Sequence, residues 1–173
     1  LLDSYSCTLI MIGLDASGKT TILNNINSKA IQLIQHTQFY PEILQLSKTK
    51  IISWDSNGSD PVRNLWRMQF QPPPAAIIYV IDPHEKDRDR QKDSCEELSK
   101  ILKYNGAEAI PILFLVNKSD RAGGLTIDEI VAFMQLDQML DRVWHIQQCS
   151  AITGSGLFEG FKWLIDHLKS SKQ

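Results

Sequence analysis

Short apolar runs alternate along the chain with amphipathic stretches. Most of the runs carry β-branched residues and no charge, which is typical of buried strands. The stretches between them have the helical spacing that places apolar side chains on one face. We predict strands at Leu9–Ile12, Ile51–Trp54, Ala75–Ile81, Ile112–Val116 and Val143–Cys149, and helices at Lys19–Ile26, Arg90–Tyr104, Thr126–Leu136 and Leu157–Leu168. The alternation indicates an α/β fold in which helices cover both faces of a parallel sheet, with ligand-binding loops at the carboxyl ends of the strands.

Composition narrows the class of protein. The chain has 173 residues, of which 43% are hydrophobic and 22% are charged, and its formal net charge is -2. We therefore expect one domain, residues 1–173, with a sizeable core. The balance of charge provides no cationic field for nucleic acid or for an anionic membrane, so nucleic acid is not an expected partner.

Cysteine and histidine spacing argues against metal and disulfide frameworks. Cys7, Cys95 and Cys149 show no C-x-x-C spacing, and the four histidines show no metal-binding spacing. We expect a reducing, cytoplasmic compartment and histidines that are solvated or locally bonded. No apolar run approaches the roughly 20 residues that span a bilayer. Because the chain begins with Leu1 rather than Met, we expect an N-terminal segment to be absent, and membrane association through it stays open.

The strongest chemical signal is a G-x-x-x-x-G-K-T loop that follows an apolar strand and opens a helix. Glycines let such a loop curl until several N–H groups point inward, and the helix N-terminus adds its positive end, so the loop suits phosphate. We expect Lys19 to reach the β and γ phosphates and the Thr20 hydroxyl to bind Mg2+. The loop alone leaves ATPases, small-molecule kinases and GTPases open. The predicted phosphate-binding residues are Gly13, Asp15, Ala16, Ser17, Gly18, Lys19, Thr20 and Thr21.

A second motif selects the base. An N-K-x-D sequence directly follows the predicted strand Ile112–Val116, and a carboxylate at Asp120 can accept hydrogen bonds from two guanine donors that adenine lacks. Ser150-Ala151-Ile152 follows the next predicted strand, Val143–Cys149, at a place where G domains present a backbone N–H, here that of Ala151, to the guanine oxygen. A cap on the helix at Thr126, or an Asx turn, is the alternative role for Asn117 and Asp120. The predicted guanine-binding residues are Asn117, Lys118, Asp120, Ser150, Ala151 and Ile152.

A third motif, D-x-x-G, ends the strand predicted at Ile51–Trp54. Asp55 would hold Mg2+ through water, and the Gly58 N–H would contact the γ phosphate.

Together these motifs resemble those of the Arf-like (ADP-ribosylation-factor-like) GTPases of the Ras superfamily. The resemblance implies a P-loop NTPase G domain with a six-stranded, mostly parallel sheet flanked by helices on both faces. It also implies binding of GTP and GDP with Mg2+, protein effectors and regulators, and work in membrane traffic or ciliary transport, at membranes or the cilium. The matching segments are Gly-Leu-Asp-Ala-Ser-Gly-Lys-Thr-Thr at 13–21, Trp-Asp-x-x-Gly-x-Asp at 54–60, Leu-Trp-Arg at 65–67, Asn-Lys-x-Asp at 117–120 and Thr-Gly-x-Gly-Leu-x-Glu-Gly at 153–160.

The chain departs from the family pattern in both switch regions. Ser59 stands where the family usually has the glutamine that orients the attacking water, and it is too short to do so, so we expect very slow GTP hydrolysis and assign no catalytic residue. Asn57 replaces the first glycine of D-x-G-G and restricts the backbone there. The Ile-Gly-Phe signature of the first switch is missing, and Thr37 is the candidate Mg2+ ligand between 32 and 48. Gln69 stands where a tyrosine is usual, so we expect altered effector recognition.

Three functions remain open from the sequence. The first is a GTP-binding switch with weak or partner-dependent hydrolysis. The second is a pseudo-GTPase that serves as a structural subunit of a larger assembly, and the third is a P-loop small-molecule kinase, against which the N-K-x-D motif argues. Two further interpretations concern structure. Glu85–Arg90 is a solvated loop and helix start. Core packing explains the aromatic residues on apolar faces better than base stacking does; these are Trp66, Phe70, Phe114, Phe133, Phe161 and Trp163.

Overall fold

The computed structural model describes residues 6–27, 33–34, 42–46, 48–53, 72–103, 107 and 109–171. Each predicted strand and helix is present within this part of the chain, with ends that differ by at most three residues. The strands are β1 (Cys7–Ile12), β2 (Leu33–Ile34), β3 (Glu42–Leu46), β4 (Thr49–Ser53), β5 (Ala76–Ile81), β6 (Ile112–Val116) and β7 (Trp144–Gln148). The helices are α1 (Lys19–Asn27), α2 (Arg88–Leu102), α3 (Ile127–Phe133) and α4 (Leu157–Ser170), with one 3-10 turn at Leu136–Gln138.

The strands form one sheet in the order β2-β3-β4-β1-β5-β6-β7. β1 pairs in parallel with β4 and β5, and β5, β6 and β7 continue the parallel part. β3 lies antiparallel to β4 and to β2. The predicted six-stranded, mostly parallel sheet is confirmed, and the two-residue β2 is an addition at its edge.

Both faces of the sheet are buried, which explains the uninterrupted apolar runs. Leu9 and Met11 of β1 pack on one side with α1 and α4, whereas Ile10 and Ile12 pack on the other side with α2 and α3. The Tyr79 hydroxyl, at the centre of the second side, donates to the Ser94 carbonyl of α2 at 2.7 Å. The flanking of the sheet by helices on both faces is therefore confirmed.

Local hydrogen bonds fix where the helices begin. Asp87 caps α2 by accepting from the backbone N–H groups of Asp89 and Arg90, which confirms the helix start in the charged stretch. Thr126 and Glu129 form a reciprocal capping box at α3. In the described part of the chain, no helix combines the length and apolar character needed to cross a bilayer.

Two aromatic assignments need correction or refinement. Phe133, predicted in the core, is 40% exposed at the end of α3. Trp163 is half-buried and stacks between His145 and His167, with ring centroids 4.9 and 5.8 Å away. These two histidines are therefore engaged locally by an aromatic ring.

Candidate functional site

The phosphate and base motifs line one cavity of about 270 Å³ at the carboxyl ends of the parallel strands. The structure thus brings together segments that are about a hundred residues apart in the sequence, as a parallel sheet requires. Ser17 and Ser150 lie buried behind the wall, each 1% exposed. The lining residues are Ala16, Gly18, Lys19, Thr20, Thr21, Asn117, Lys118, Asp120, Arg121, Ala151 and Ile152.

The phosphate loop is shaped by its backbone. Gly13 has φ +154° and Gly18 has φ +101°, and a Cβ at Gly18 would lie 2.1 Å from Asn117 Nδ2. Ala16 adopts φ 58°, which a residue with a side chain rarely occupies. These conformations let the loop curl tightly between β1 and α1.

Lys19 lies under this loop rather than in solvent. Its ammonium group donates to the carbonyl oxygens of Gly13 at 2.8 Å and Leu14 at 2.7 Å, and the residue is 4% exposed. A buried ammonium is stable only when oxygen atoms surround it. Together with the positive N-terminal end of α1, it makes this end of the cavity attractive to anions.

Asn117 joins the two halves of the cavity. Its Nδ2 donates to the Ser17 carbonyl of the phosphate loop at 2.8 Å, and its Oδ1 accepts from the Ala151 N–H at 2.8 Å. The alternative role, a cap on the α3 helix, is wrong for Asn117 because Thr126 caps that helix itself. The Ala151 N–H is already donated to Asn117, so a guanine oxygen reaches it only by sharing that donor.

Asp120 lies exposed at the base end of the cavity and is held in place by Ser150. The Ser150 hydroxyl donates to Asp120 Oδ1 at 2.6 Å, and this hydrogen bond lowers the pKa of the Asp120 carboxyl. The carboxylate is therefore ionised and can accept hydrogen bonds at neutral pH.

Lys118 takes a strained backbone conformation and an internal ion pair. Its φ is 63°, and its ammonium lies 2.5 Å from Asp82 Oδ2. His84 Nε2 lies 3.3 Å from the Lys118 carbonyl. The loop after β5 thus supports the base-binding loop, a contact that the sequence analysis did not predict.

Asn25 also supports the base-binding loop, and the sequence analysis did not predict it. Its Nδ2 donates to the Ala151 carbonyl at 3.1 Å, which ties α1 to the base-binding loop. Gly154 permits this approach, since a Cβ there would lie 3.1 Å from Asn25 Oδ1. Asn24, Asn25 and Asn27 follow one another closely at the end of α1, so the pattern gave no sign that Asn25 was special.

Asp15 lies in the phosphate loop but turns away from the 270 Å³ cavity. Its carboxylate accepts from Arg90 Nη2 at 2.7 Å. The expectation that Glu85–Arg90 is merely solvated is therefore wrong for Arg90, whose guanidinium contacts the phosphate loop.

Part of the predicted metal site lies outside the described residues. Thr37, Asp55, Gly58 and Ser59 fall there, and so do Asn57 and Gln69. Within the described residues, His, Cys, Asp and Glu side chains form no group of three or more that could hold a metal ion. The Thr20 hydroxyl, on the first turn of α1, is an oxygen ligand of the kind that Mg2+ prefers.

Comparison with known proteins relates the chain to one family. The family model described as "ADP-ribosylation factor family" matches residues 2–168. The chain is also 37% identical over 163 residues to ADP-ribosylation factor-like protein 3 of Chlamydomonas reinhardtii, an alignment that covers 93% of this chain and 90% of that protein.

Proposed function

Because this chain belongs to the ADP-ribosylation factor family, a family of GTP-binding switches, we propose that it binds GTP and GDP with Mg2+ and hydrolyses GTP weakly or only with a partner. The observation that carries the proposal is the Asn117 side chain, which holds the phosphate loop and the base-binding loop around one cavity. A ligand that fits must carry phosphate at one end and a nucleobase at the other.

The two ends of the cavity favour guanine nucleotide over other anions. At one end, Lys19 and the N-terminus of α1 attract phosphate. At the other, the ionised Asp120 accepts hydrogen bonds from the N1–H and the exocyclic amine of guanine, and adenine has no such donor pair. Discrimination of this kind is strong, because the wrong base leaves a polar group unpaired.

Thr20 is the described residue that would hold Mg2+, with Asp55 and Thr37 as the further predicted ligands. The ion would neutralise charge on the phosphates. Lys19 would contribute a second positive charge from the protein side. Ser59 stands in place of the usual glutamine and is too short to orient water from that position, which supports slow hydrolysis.

The finer proposals rest on family likeness and on the sequence alone. We place the protein in membrane traffic or ciliary transport, with protein effectors and regulators of its own, at membranes in the cytoplasm or at the cilium. Asn57 and Ser59 favour a second candidate, a pseudo-GTPase that is a structural subunit of a larger assembly.

The test measures nucleotide binding and turnover together. Purified protein is titrated with fluorescent GTP and GDP in Mg2+, with ATP as competitor, and phosphate release is then followed. Lys19→Ala is the test variant, and Lys92→Ala, at an exposed lysine of α2, is the matched control.

We expect guanine-selective binding that Lys19→Ala abolishes and Lys92→Ala retains, with phosphate release that rises in Ser59→Gln. If the wild type and Ser59→Gln both bind GTP but neither releases phosphate, the result supports a one-way switch. If the wild type binds no nucleotide, the proposed function is contradicted and the pseudo-GTPase that serves as a structural subunit is the remaining candidate.

A further inference from the structure

An acidic side chain in a phosphate-binding loop poses an electrostatic problem. The loop that carries Asp15 surrounds the Lys19 ammonium, and this charge, like the backbone N–H groups of such loops in general, attracts carboxylate as well as phosphate. A free carboxylate at Asp15 would compete for these donors and repel the phosphates. Instead, Asp15 lines a separate cavity of about 40 Å³ between the loop, α2 and α3.

Arg90 is the residue that holds Asp15 on this side. Its Nη2 donates to Asp15 Oδ1 at 2.7 Å and to the Asp15 carbonyl at 3.2 Å. Its Nε donates to Glu85 Oε2 at 2.7 Å. The Arg90 guanidinium is thus fixed between the carboxylates of Asp15 and Glu85, which are far apart in the sequence.

The local structure around Arg90 fixes its direction. Arg90 lies in the first turn of α2, which the Asp87 cap anchors. Gln91 Nε2 donates to the Glu85 carbonyl at 2.7 Å, which holds the preceding loop against the same turn. The hydrogen bond from Arg90 also lowers the pKa of Glu85, so Glu85 stays ionised as its partner. Arg90 therefore meets the phosphate loop in one defined orientation.

We infer that Arg90 is a positioning residue that draws the Asp15 carboxylate away from bound phosphate and so raises the affinity for triphosphate relative to diphosphate. The inference rests on the proposed function, guanine-nucleotide binding. A misplaced negative charge repels GTP more than GDP because GTP carries the larger negative charge. The Arg90–Asp15 pair is partly exposed, 31% and 44%, so solvent and salt moderate the effect.

The experiment separates this electrostatic role from a merely structural one. Affinities for fluorescent GTP and GDP in Mg2+ are measured for the wild type, Arg90→Gln, Asp15→Asn and the double variant. Arg88→Gln, an exposed arginine in the same turn of α2, is the matched control. Arg90→Lys keeps the positive charge and serves as the conservative variant, and Arg90→Met, which also removes the charge, replaces Arg90→Gln should that variant fail to fold.

We expect Arg90→Gln to weaken GTP binding by about five- to tenfold and GDP binding by about twofold, with a smaller difference at high salt. In the Asp15→Asn background the same substitution should leave the GTP-to-GDP ratio unchanged, because the repelling charge is gone. Arg90→Lys should retain most of the ratio.

If Arg90→Gln lowers the affinities for GTP and GDP equally, or lowers the GTP-to-GDP ratio just as much when Asp15→Asn is present, the inference is overturned. Arg90 then has only a structural role. If the wild type binds neither nucleotide, the proposed function fails and this inference fails with it. If the wild type binds both and Arg90→Gln keeps the ratio, the inference alone fails.

Discussion

In the base-binding part of the cavity, side-chain hydrogen bonds fix the loops. In the phosphate-binding part, the shape of the loop depends mainly on its backbone conformation. Asn117, Asp120 and Ser150 each make side-chain hydrogen bonds that fix a neighbouring loop or one another. The phosphate loop owes its curl to Gly13, Ala16 and Gly18, all of which have positive φ.

This difference predicts different responses to substitution. A loop fixed by several side-chain hydrogen bonds loses them one at a time, so single changes should have graded effects. At Gly13 and Gly18 of the phosphate loop, positive φ is combined with a close neighbouring atom, so a single added methyl group should disrupt the loop.

The largest effect should come from Gly18→Ala. The new Cβ would lie 2.1 Å from Asn117 Nδ2 at φ +101°, so it disturbs the phosphate loop and the residue that joins it to the base loop. We expect a loss of nucleotide affinity of about a hundredfold or more, measured by titration with fluorescent GDP. Gly123→Ala is the control, since its φ is +83° but no atom lies within 4 Å of the added Cβ. Equal affinities in the two variants would contradict the backbone argument.

Asn117→Ala should rank next. It removes two buried hydrogen bonds and leaves the Ser17 carbonyl and the Ala151 N–H without this partner. We expect a loss of about 2–3 kcal/mol in the free energy of unfolding without nucleotide, measured by urea denaturation, together with weaker GDP binding. Asn24→Ala, at an exposed asparagine of α1, should change neither quantity. An unchanged unfolding free energy for Asn117→Ala would show that the two halves do not depend on this bridge.

Ser150→Ala should act mainly through pH. The Ser150 hydroxyl lowers the pKa of Asp120, so the ionised carboxylate, and guanine affinity with it, persists to a pH below the ordinary range of an aspartate and is lost as pH falls through the lowered pKa. Removing the hydroxyl raises that pKa, so the loss of GDP affinity on acidification should begin at a higher pH. GDP titrations from about pH 7 to about pH 4 check this, with Ser119→Ala as the control. Identical pH profiles would exclude the role assigned to Ser150.

Asn25→Ala should have the smallest effect. It removes the hydrogen bonds that Asn25 Nδ2 donates to the carbonyl oxygens of Ala151 and Ile152, and should speed GDP release by about two- to fivefold. Displacement of fluorescent GDP by excess unlabelled GDP measures this rate, with Asn24→Ala as the matched control. Equal release rates in the two variants would show that α1 does not support the base loop.

The parallel part of the sheet was predictable because each of its strands is buried on both faces. Ile112–Val116 is apolar throughout and matches β6 residue for residue. β3 was missed because Glu42 and Gln45 interrupt its apolar residues and because the segment from 32 to 48 was interpreted as the first switch. An antiparallel strand near the edge of a sheet gives this weaker pattern.

The motif residues of the site were also predictable, since each motif is local and lies at a strand end. Their supporting contacts were not. Arg90 meets Asp15 across 75 residues, and Asn25 meets Ala151 across 126. Helical periodicity indicates which face of a helix is apolar, but it does not say which distant loop a polar side chain on that helix will contact.

The bridge through Asn117 also bears on the order of folding. It joins residues that are 100 and 34 positions apart, and Asn25 adds a link of 126 positions. Closing contacts between such distant positions costs loop entropy, and many such contacts slow folding. During synthesis the phosphate loop leaves the ribosome well before Asn117 and Ala151, so a nascent chain cannot close the cavity around guanine nucleotide until both loops have emerged. Nucleotide then binds the finished fold alone and adds its binding energy to that fold's stability.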